Sequence, residues 1–244
     1  VNKRLVPGTC LLLIMLALPG HASEIEVVTE DSSYAYLSGG KLAGPGTHVV
    51  EQTLKHAAVN DYRILLYPWA RAYEKALREP NVLIFPILRT TARESQFKWV
   101  GEIAQAQTML YKLREQTDLT LESISDARRY IIGVVRDDSR QAYLEGRGFK
   151  RLVVSTTNRD SFQKLLHHQV ELLPMTEREV RLLSEQAQVD VGRLEAVAAL
   201  GDVKAGIYMA FSLETPDEMV NLVRTAFEQL KASGEIERLM HEEP

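Results

Sequence analysis

Cysteine is almost absent: the 244-residue chain holds one, Cys10, close to its start. A disulfide framework is therefore excluded, and stability has to come from an ordinary apolar core. No Gly-rich phosphate loop, nucleophile–base pair or His/Cys metal cluster occurs, so no cofactor or metal is expected and no catalytic centre is marked. His167 and His168 lack a partner at metal-ligand spacing and read as helix-end residues. Basic excess is missing too. With 29 basic and 33 acidic side chains the formal charge is −4, which implies no basic face and argues against nucleic acid as a partner. Beyond the opening segment no apolar run approaches the ~20 residues needed to cross a bilayer.

What is present begins with a leader-like segment. Lys3 and Arg4 form a positive n-region, residues 10–18 are almost wholly apolar, and Pro19 and Gly20 break the run. Gly20-His21-Ala22 then offers small residues for cleavage after Ala22, so residues 1–22 read as a secretory signal peptide. The run is too short for a membrane anchor. A lipid anchor would need a cysteine after the run, whereas Cys10 begins it. Without residues 1–22 the chain loses Lys3, Arg4 and Cys10, giving a net charge of −6 and no cysteine.

The remainder alternates short apolar runs with amphipathic stretches. Strands are expected at 25–29, 64–67, 82–87, 131–135, 152–155 and 170–173, and helices at 49–58, 70–78, 141–145, 162–168, 177–186 and 217–230. Strand–helix alternation with near-continuous apolar strands predicts an α/β fold with parallel sheets covered on both faces. The last helix carries a start signal, Thr215-Pro216 with Glu218 completing a capping box. Two α/β blocks separate, and the chain returns from the second to the first. The expected division is residues 23–108 with 209–244 as one lobe and 109–208 as the other, joined by two crossing strands that make a hinge.

Four motifs stand at the ends of expected strands: Glu30-Asp31-Ser32-Ser33-Tyr34; Tyr67-Pro68-Trp69-Ala70-Arg71-Ala72-Tyr73; Arg89-Thr90-Thr91-Ala92-Arg93-Glu94 with Phe97-Lys98-Trp99-Val100-Gly101; and Ile131-Ile132-Gly133-Val134-Val135 leading into Arg136-Asp137-Asp138-Ser139. In this order and spacing they resemble the extracellular solute-binding proteins of family 3, the amino-acid-binding type that serves ABC importers. The resemblance spans nearly all of the chain after the leader. It implies a two-lobed periplasmic-binding-protein type II (Venus-flytrap) fold that acts as a monomer in the periplasm. It also implies a small-molecule ligand, an amino acid or small carboxylate, held between the lobes, and a permease or sensor domain as partner. Strand ends are where open α/β sheets bind ligands, which agrees with the placement of the motifs.

The resemblance assigns roles. Arg93 matches the arginine whose fork grips the ligand carboxylate; the alternative is a solvated arginine paired with Glu94. Arg89 either adds a second positive charge to the cleft or neutralises a nearby acid. Tyr34 and Trp69 match the aromatic walls of the ligand site, though Trp69 equally suits the core beneath it. Arg71 either lines the cleft or braces it. Asp31 matches an acid that helps hold the ligand's amino group, and only one of Glu30 and Asp31 can face inward on an extended strand. Ser139 opens a helix and receives the other side of a carboxylate or simply caps the helix. Asp137 and Asp138, adjacent and without further ligands, read as solvated acids.

There are departures from the family pattern. His168-Gln169-Val170-Glu171 replaces the usual second-lobe segment, Thr176 falls near the ammonium-binding position with Glu177 beside it, and Leu88 replaces a hydroxyl that assists the arginine. A plain α-amino acid is thereby put in question, and small carboxylates, polar amides and modified amino acids stay open. Capture and delivery of a solute is the expected activity. Ligand sensing for signalling is the alternative, and a dehydratase-like enzyme would need a proton donor such as Glu30 or Glu171 with a raised pKa.

Overall fold

The computed structural model describes residues 24–201 and 205–241, and the expected leader lies outside them. In chain order the strands and helices are β1 (Ile25–Thr29), β2 (Tyr36–Ser38), β3 (Lys41–Ala43), α1 (Pro45–His56), β4 (Tyr62–Leu66), α2 (Trp69–Arg78), β5 (Val82–Leu88), β6 (Phe97–Ala106), β7 (Thr108–Leu113), β8 (Ile132–Val135), α3 (Ser139–Gly146), β9 (Leu152–Ser155), α4 (Asn158–Leu166), β10 (Leu173–Thr176), α5 (Glu177–Ala187), β11 (Leu194–Ala199), β12 (Ala205–Ser212), α6 (Asp217–Ala232) and α7 (Glu235–His241).

The first lobe is built on a five-stranded sheet ordered β4-β1-β5-β12-β6. β1 pairs in parallel with β4 and β5, and β12 runs antiparallel between β5 and β6. Successive residues of a strand point to opposite faces, and both faces are covered. Val27, Leu83, Phe85, Met209 and Phe211 pack with Val50 and Leu54 of α1, Phe227 of α6 and Leu239 of α7. Val28, Ile84 and Ala210 pack on the other side with Trp69, Ala72 and Ala76 of α2. That two-sided burial is why these strands read as continuous apolar runs. At the sheet edge, α6 approaches β6 so closely at Gly101 that a Cβ there would run into the Phe227 ring. Beside it, the Arg224 guanidinium donates to the Trp99 carbonyl from Nε and Nη2, at 3.1 and 2.8 Å, occupying an edge acceptor.

The second lobe repeats the plan. β8 pairs in parallel with β9, an isolated bridge joins Ile132 to Leu172 just before β10, and β7 runs antiparallel between β10 and β11. One face carries Phe162 and Leu165 of α4 with Val180 and Leu183 of α5, and the other carries Leu144 of α3 with Phe149. Two connections join the lobes. β6 passes into β7 through Gln107 alone, and β11 returns to β12. The crossings lie side by side: the Leu200 amide donates to the Thr108 carbonyl at 2.8 Å, and the Gln107 side-chain amide to the Gly201 carbonyl at 3.2 Å. β12 pairs with first-lobe strands from Ala205 onward, so residue 209, the expected point of return, falls inside that strand.

One expected feature is not made. Thr215 does not cap α6: the N-cap is Pro216, and the Thr215 hydroxyl meets that of Ser212 at 2.9 Å. The tight turn after β12 buries Thr215, so its hydroxyl is satisfied inside the fold. Asp217 and Glu218 in the first turn still complement the positive end of the helix dipole.

Candidate functional site

Between the lobes lies a cavity of about 80 Å³ whose lining includes Glu30, Tyr34, Trp69, Leu88, Arg93, Asp138, Ser139, Arg140, Thr176 and Glu179. Its position follows from the topology. Glu30 lies just past β1, Trp69 opens the helix after β4, and Arg93 follows β5. On the second lobe, Asp138 and Ser139 follow β8, Asn158 follows β9 and Thr176 ends β10. Apart from Thr176, the last residue of β10, all stand beyond the carboxyl ends of parallel strands, where the helix N-termini converge.

Arg93 is buried, with its guanidinium 5.1 Å from the Trp69 ring centre and 4.7 Å from that of Tyr73. It donates to the carbonyls of Leu88 at 3.3 Å and Asp137 at 3.4 Å. The main chain of Leu88 thus offers the oxygen its side chain lacks. No carboxylate among the described residues is recorded in an ion pair with Arg93, and Glu94 instead pairs with Arg89 at 2.5 Å. Trp69 is both core and wall: it packs under the sheet, lines the cavity, and donates from Nε1 to the Asp137 carbonyl at 2.9 Å. Asp137 is left-handed, with φ of 60°. That conformation aims its carbonyl across the cleft at two first-lobe donors.

Of the two acids after β1, Glu30 faces the cavity and Asp31 the rim, where it pairs with Arg159 of the second lobe at 3.1 Å. Glu30 accepts a weak hydrogen bond from the Asn158 side-chain amide at 3.3 Å. Burial, then the Asp138, Glu179 and Asp31 carboxylates, push its carboxyl up to about 8 against the pull of Arg140. Tyr34 is also pushed up, to about 12, by burial and by Glu179. Thr176 is the N-cap of α5, bonded to the Glu179 amide at 3.2 Å while Glu179 bonds back to the Thr176 amide at 2.7 Å.

The second-lobe wall is dominated by a network that sequence reasoning missed. Arg140 pairs with Asp138 at 2.8 Å and with Glu179 at 3.0 Å, and also donates to Asn158 and the Pro174 carbonyl, both at 3.2 Å. Burial alone would raise Asp138, but the charge and hydrogen bonds of Arg140 hold it below the usual carboxylate range. Asp138 is therefore a buried ion-pair member and the N-cap of α3, not the solvated acid expected. A partial signal existed: Thr176-Glu177-Arg178-Glu179 is a capping-box pattern, which places Glu179 at the helix start.

Two expected residues lie elsewhere. Arg89 is held by Glu94 and stacks between Trp99 and Tyr208, at 5.1 and 5.2 Å, in an outer groove of the first lobe. Arg71 lies on the Tyr67 ring at 4.4 Å and is exposed. Glu171 accepts from the Ile131 amide at 2.6 Å and does not line the cavity. Among the described residues no group of three His, Cys, Asp or Glu is placed to hold a metal.

Two lobes of like strand order, two crossing strands and a cleft at the strand ends define the periplasmic-binding-protein type II fold, the Venus flytrap. No protein-family model and no curated protein matches the sequence. Solved structures do match in fold. A histidine kinase sensor domain with similarity to periplasmic binding proteins has a TM-score of 0.79 at 16% identity, covering 89% of this chain and 94% of that one. The arginine-, lysine-, histidine-binding protein ArtJ from Geobacillus stearothermophilus has a TM-score of 0.76 at 16% identity, covering 91% and 96%. The amino acid ABC transporter substrate-binding protein AbpA from Streptococcus pneumoniae, bound to L-arginine, has a TM-score of 0.76 at 16% identity, covering 89% and 92%.

Proposed function

We propose that this chain is a periplasmic solute-binding protein of the family 3 type that closes on an amino acid or related small carboxylate and delivers it to an ABC-type importer. The observation that carries this reading is Arg93, a buried guanidinium in an interlobe cavity that makes no salt bridge among the described residues and feels the Asp138 carboxylate only through its charge. A buried guanidinium whose hydrogen bonds go only to two carbonyls is incompletely compensated, and a carboxylate gripped by its fork completes it. In this reading Trp69 and Tyr34 flank the solute, Ser139 and Thr176 offer hydroxyls from the second lobe, Glu30 faces the amino group and Asp31 latches the rim. The amino-acid-binding proteins with the same fold support the ligand class. A thermal-shift screen of amino acids, small carboxylates and polyamines tests it, because a ligand at a hundred times its Kd stabilises by about 2.7 kcal/mol. A stabilising carboxylate whose effect vanishes in Arg93→Ala supports the reading; stabilisation that survives the substitution refutes it.

A second reading has its own observation, the kinase sensor domain that shares the fold. Closure serves sensing as well as import. A permease gene beside this one favours import, and a kinase gene favours sensing. The raised carboxyl of Glu30 also meets the requirement for proton-donating catalysis; the binding reading expects the bound solute to be recovered unchanged after prolonged incubation, and its conversion would favour an enzyme instead.

A further inference from the structure

We propose that the solute is an acylated amino acid, either the C-terminal unit of a short peptide or a single N-acyl amino acid, whose carboxylate is enclosed on Arg93 while its acyl body lies in an outer chamber beyond Tyr34. This rests on the binding reading above and names its solute class. The closed form is the one that holds solute, and its inner cavity is small. At about 30 Å³ for each water-sized group, the 80 Å³ around Arg93 takes roughly three, about a carboxylate and the carbon that bears it. The rest of the solute has to leave the cavity. Tyr34, Ala106 and Thr176 line both this cavity and a second interlobe chamber of about 650 Å³, a volume within the ~300–1,000 Å³ of pockets that enclose small ligands.

The nitrogen beside the carboxylate meets few acceptors. Asp138 and Glu179 are both paired with Arg140, at 2.8 and 3.0 Å, and Asp31 is paired with Arg159 at the rim. The Thr176 hydroxyl already accepts from the Glu179 amide. Glu30 remains, with Oε2 taking the Asn158 amide at 3.3 Å. An ammonium brings three donors and a full charge. An amide nitrogen brings one donor and no charge, which a single carboxylate oxygen satisfies. The amino group that Glu30 faces is therefore an acylated one.

Arg178 of α5 stands at the passage between the two chambers. Its guanidinium lies 5.7 Å from the Tyr34 ring centre, donates to the Met240 carbonyl at 3.0 Å and makes no salt bridge among the described residues. A guanidinium carries five N–H donors, so an acyl oxygen emerging past Tyr34 has a charged donor waiting for it. Farther out the chamber is lined by Tyr36 and Leu182, by the exposed amide of Gln105 and by the exposed acid Glu185, which suits the terminal ammonium of a peptide.

Calorimetry with four probes tests the proposal: L-alanine, L-arginine, N-acetyl-L-alanine and tri-L-alanine. Both acylated probes should bind about tenfold or more tightly than either free amino acid, the gain of one hydrogen bond to a charged group. Tri-L-alanine ahead of N-acetyl-L-alanine identifies a peptide as the solute; equal affinities identify the acyl group alone. Arg178→Gln should weaken both acylated probes about tenfold and L-alanine less. Gln105→Trp, a change at an exposed position that fills the outer chamber, should weaken tri-L-alanine most, and it serves where Arg178→Gln does not fold. Free amino acids binding as tightly as the acylated probes, or acylated probes indifferent to both substitutions, overturn the proposal. A free carboxylate that binds through Arg93 while no acylated probe does also overturns it and leaves the solute-binding reading intact. If no solute of either kind binds, both fall.

Discussion

Replacing Arg93 by alanine separates a ligand-gripping arginine from a structural one. In the protein its guanidinium meets two carbonyl oxygens, at 3.3 and 3.4 Å, and two aromatic faces, but makes no salt bridge to an acid among the described residues. Neither carbonyl is left bearing a charge by the truncation, so the free protein loses only modest stabilisation. A bound carboxylate loses a buried charged partner, which is worth about 2–5 kcal/mol, or roughly thirtyfold to several thousandfold in Kd. Arg93→Lys keeps the charge without the fork and should fall between. The control is Arg89→Ala, four residues away in sequence and of the same charge. Its ion pair with Glu94 is half-exposed and worth about 0.2–1 kcal/mol, and it lines a different groove, so ligand affinity should stay within about twofold. Isothermal titration with any solute that raises the melting temperature reads all three variants. Arg93→Ala binding within threefold of wild type, or Arg89→Ala falling as far as Arg93→Ala, would show that the cleft does not work as argued.

Three further outcomes are expected. Trp69→Phe keeps a ring in the wall but loses the N–H to the Asp137 carbonyl, a bond worth about 1 kcal/mol, so ligand affinity should drop about fivefold; unchanged affinity would mean the contact does not hold the closed form. Arg140→Met leaves Asp138 and Glu179 buried without their counter-charge, which should destabilise the protein by about 3–5 kcal/mol in urea or heat, with partial recovery when Asp138→Asn is added; a variant as stable as wild type contradicts the buried network. Gly101→Ala drives a methyl into the Phe227 ring between α6 and β6 and should destabilise by about 1–3 kcal/mol, measured by denaturation, while ligand affinity in the folded fraction is unaltered.

The sequence revealed the parallel strands far better than the rest. β1 and β9 coincide with expected runs, and β4, β5 and β8 differ by a residue or two. β1, β5 and β8 are mostly apolar because they are buried on both faces, whereas the edge strands β4 and β9 show short apolar runs at partly buried positions. β6, β7 and β11 were passed over. They are antiparallel and interrupted by polar residues such as Lys98, Glu102, Lys112 and Glu195, so neither continuous apolarity nor clean alternation marks them. In the site, Tyr34, Trp69, Arg93, Ser139 and Thr176 come together around one cavity, and of the two acids after β1 it is Glu30, not the matched Asp31, that lines it. The Arg140 network escaped notice because its members are a neighbour at two residues and partners 18 and 39 residues away. Nothing local distinguishes Asp138 from the exposed Asp137 beside it. Only the fold decides which of two adjacent acids is buried.

The left-handed turn at Asp137 has a consequence for how this cleft changes through evolution. The receptor that Trp69 and Arg93 find on the opposite lobe is a peptide oxygen, so its orientation depends on a backbone angle rather than on a particular side chain. Glycine and asparagine adopt that angle as readily as aspartate, whereas β-branched residues do not. Related proteins can therefore exchange the side chain at this position, and retune the charge at the cleft mouth, without unfastening the clasp.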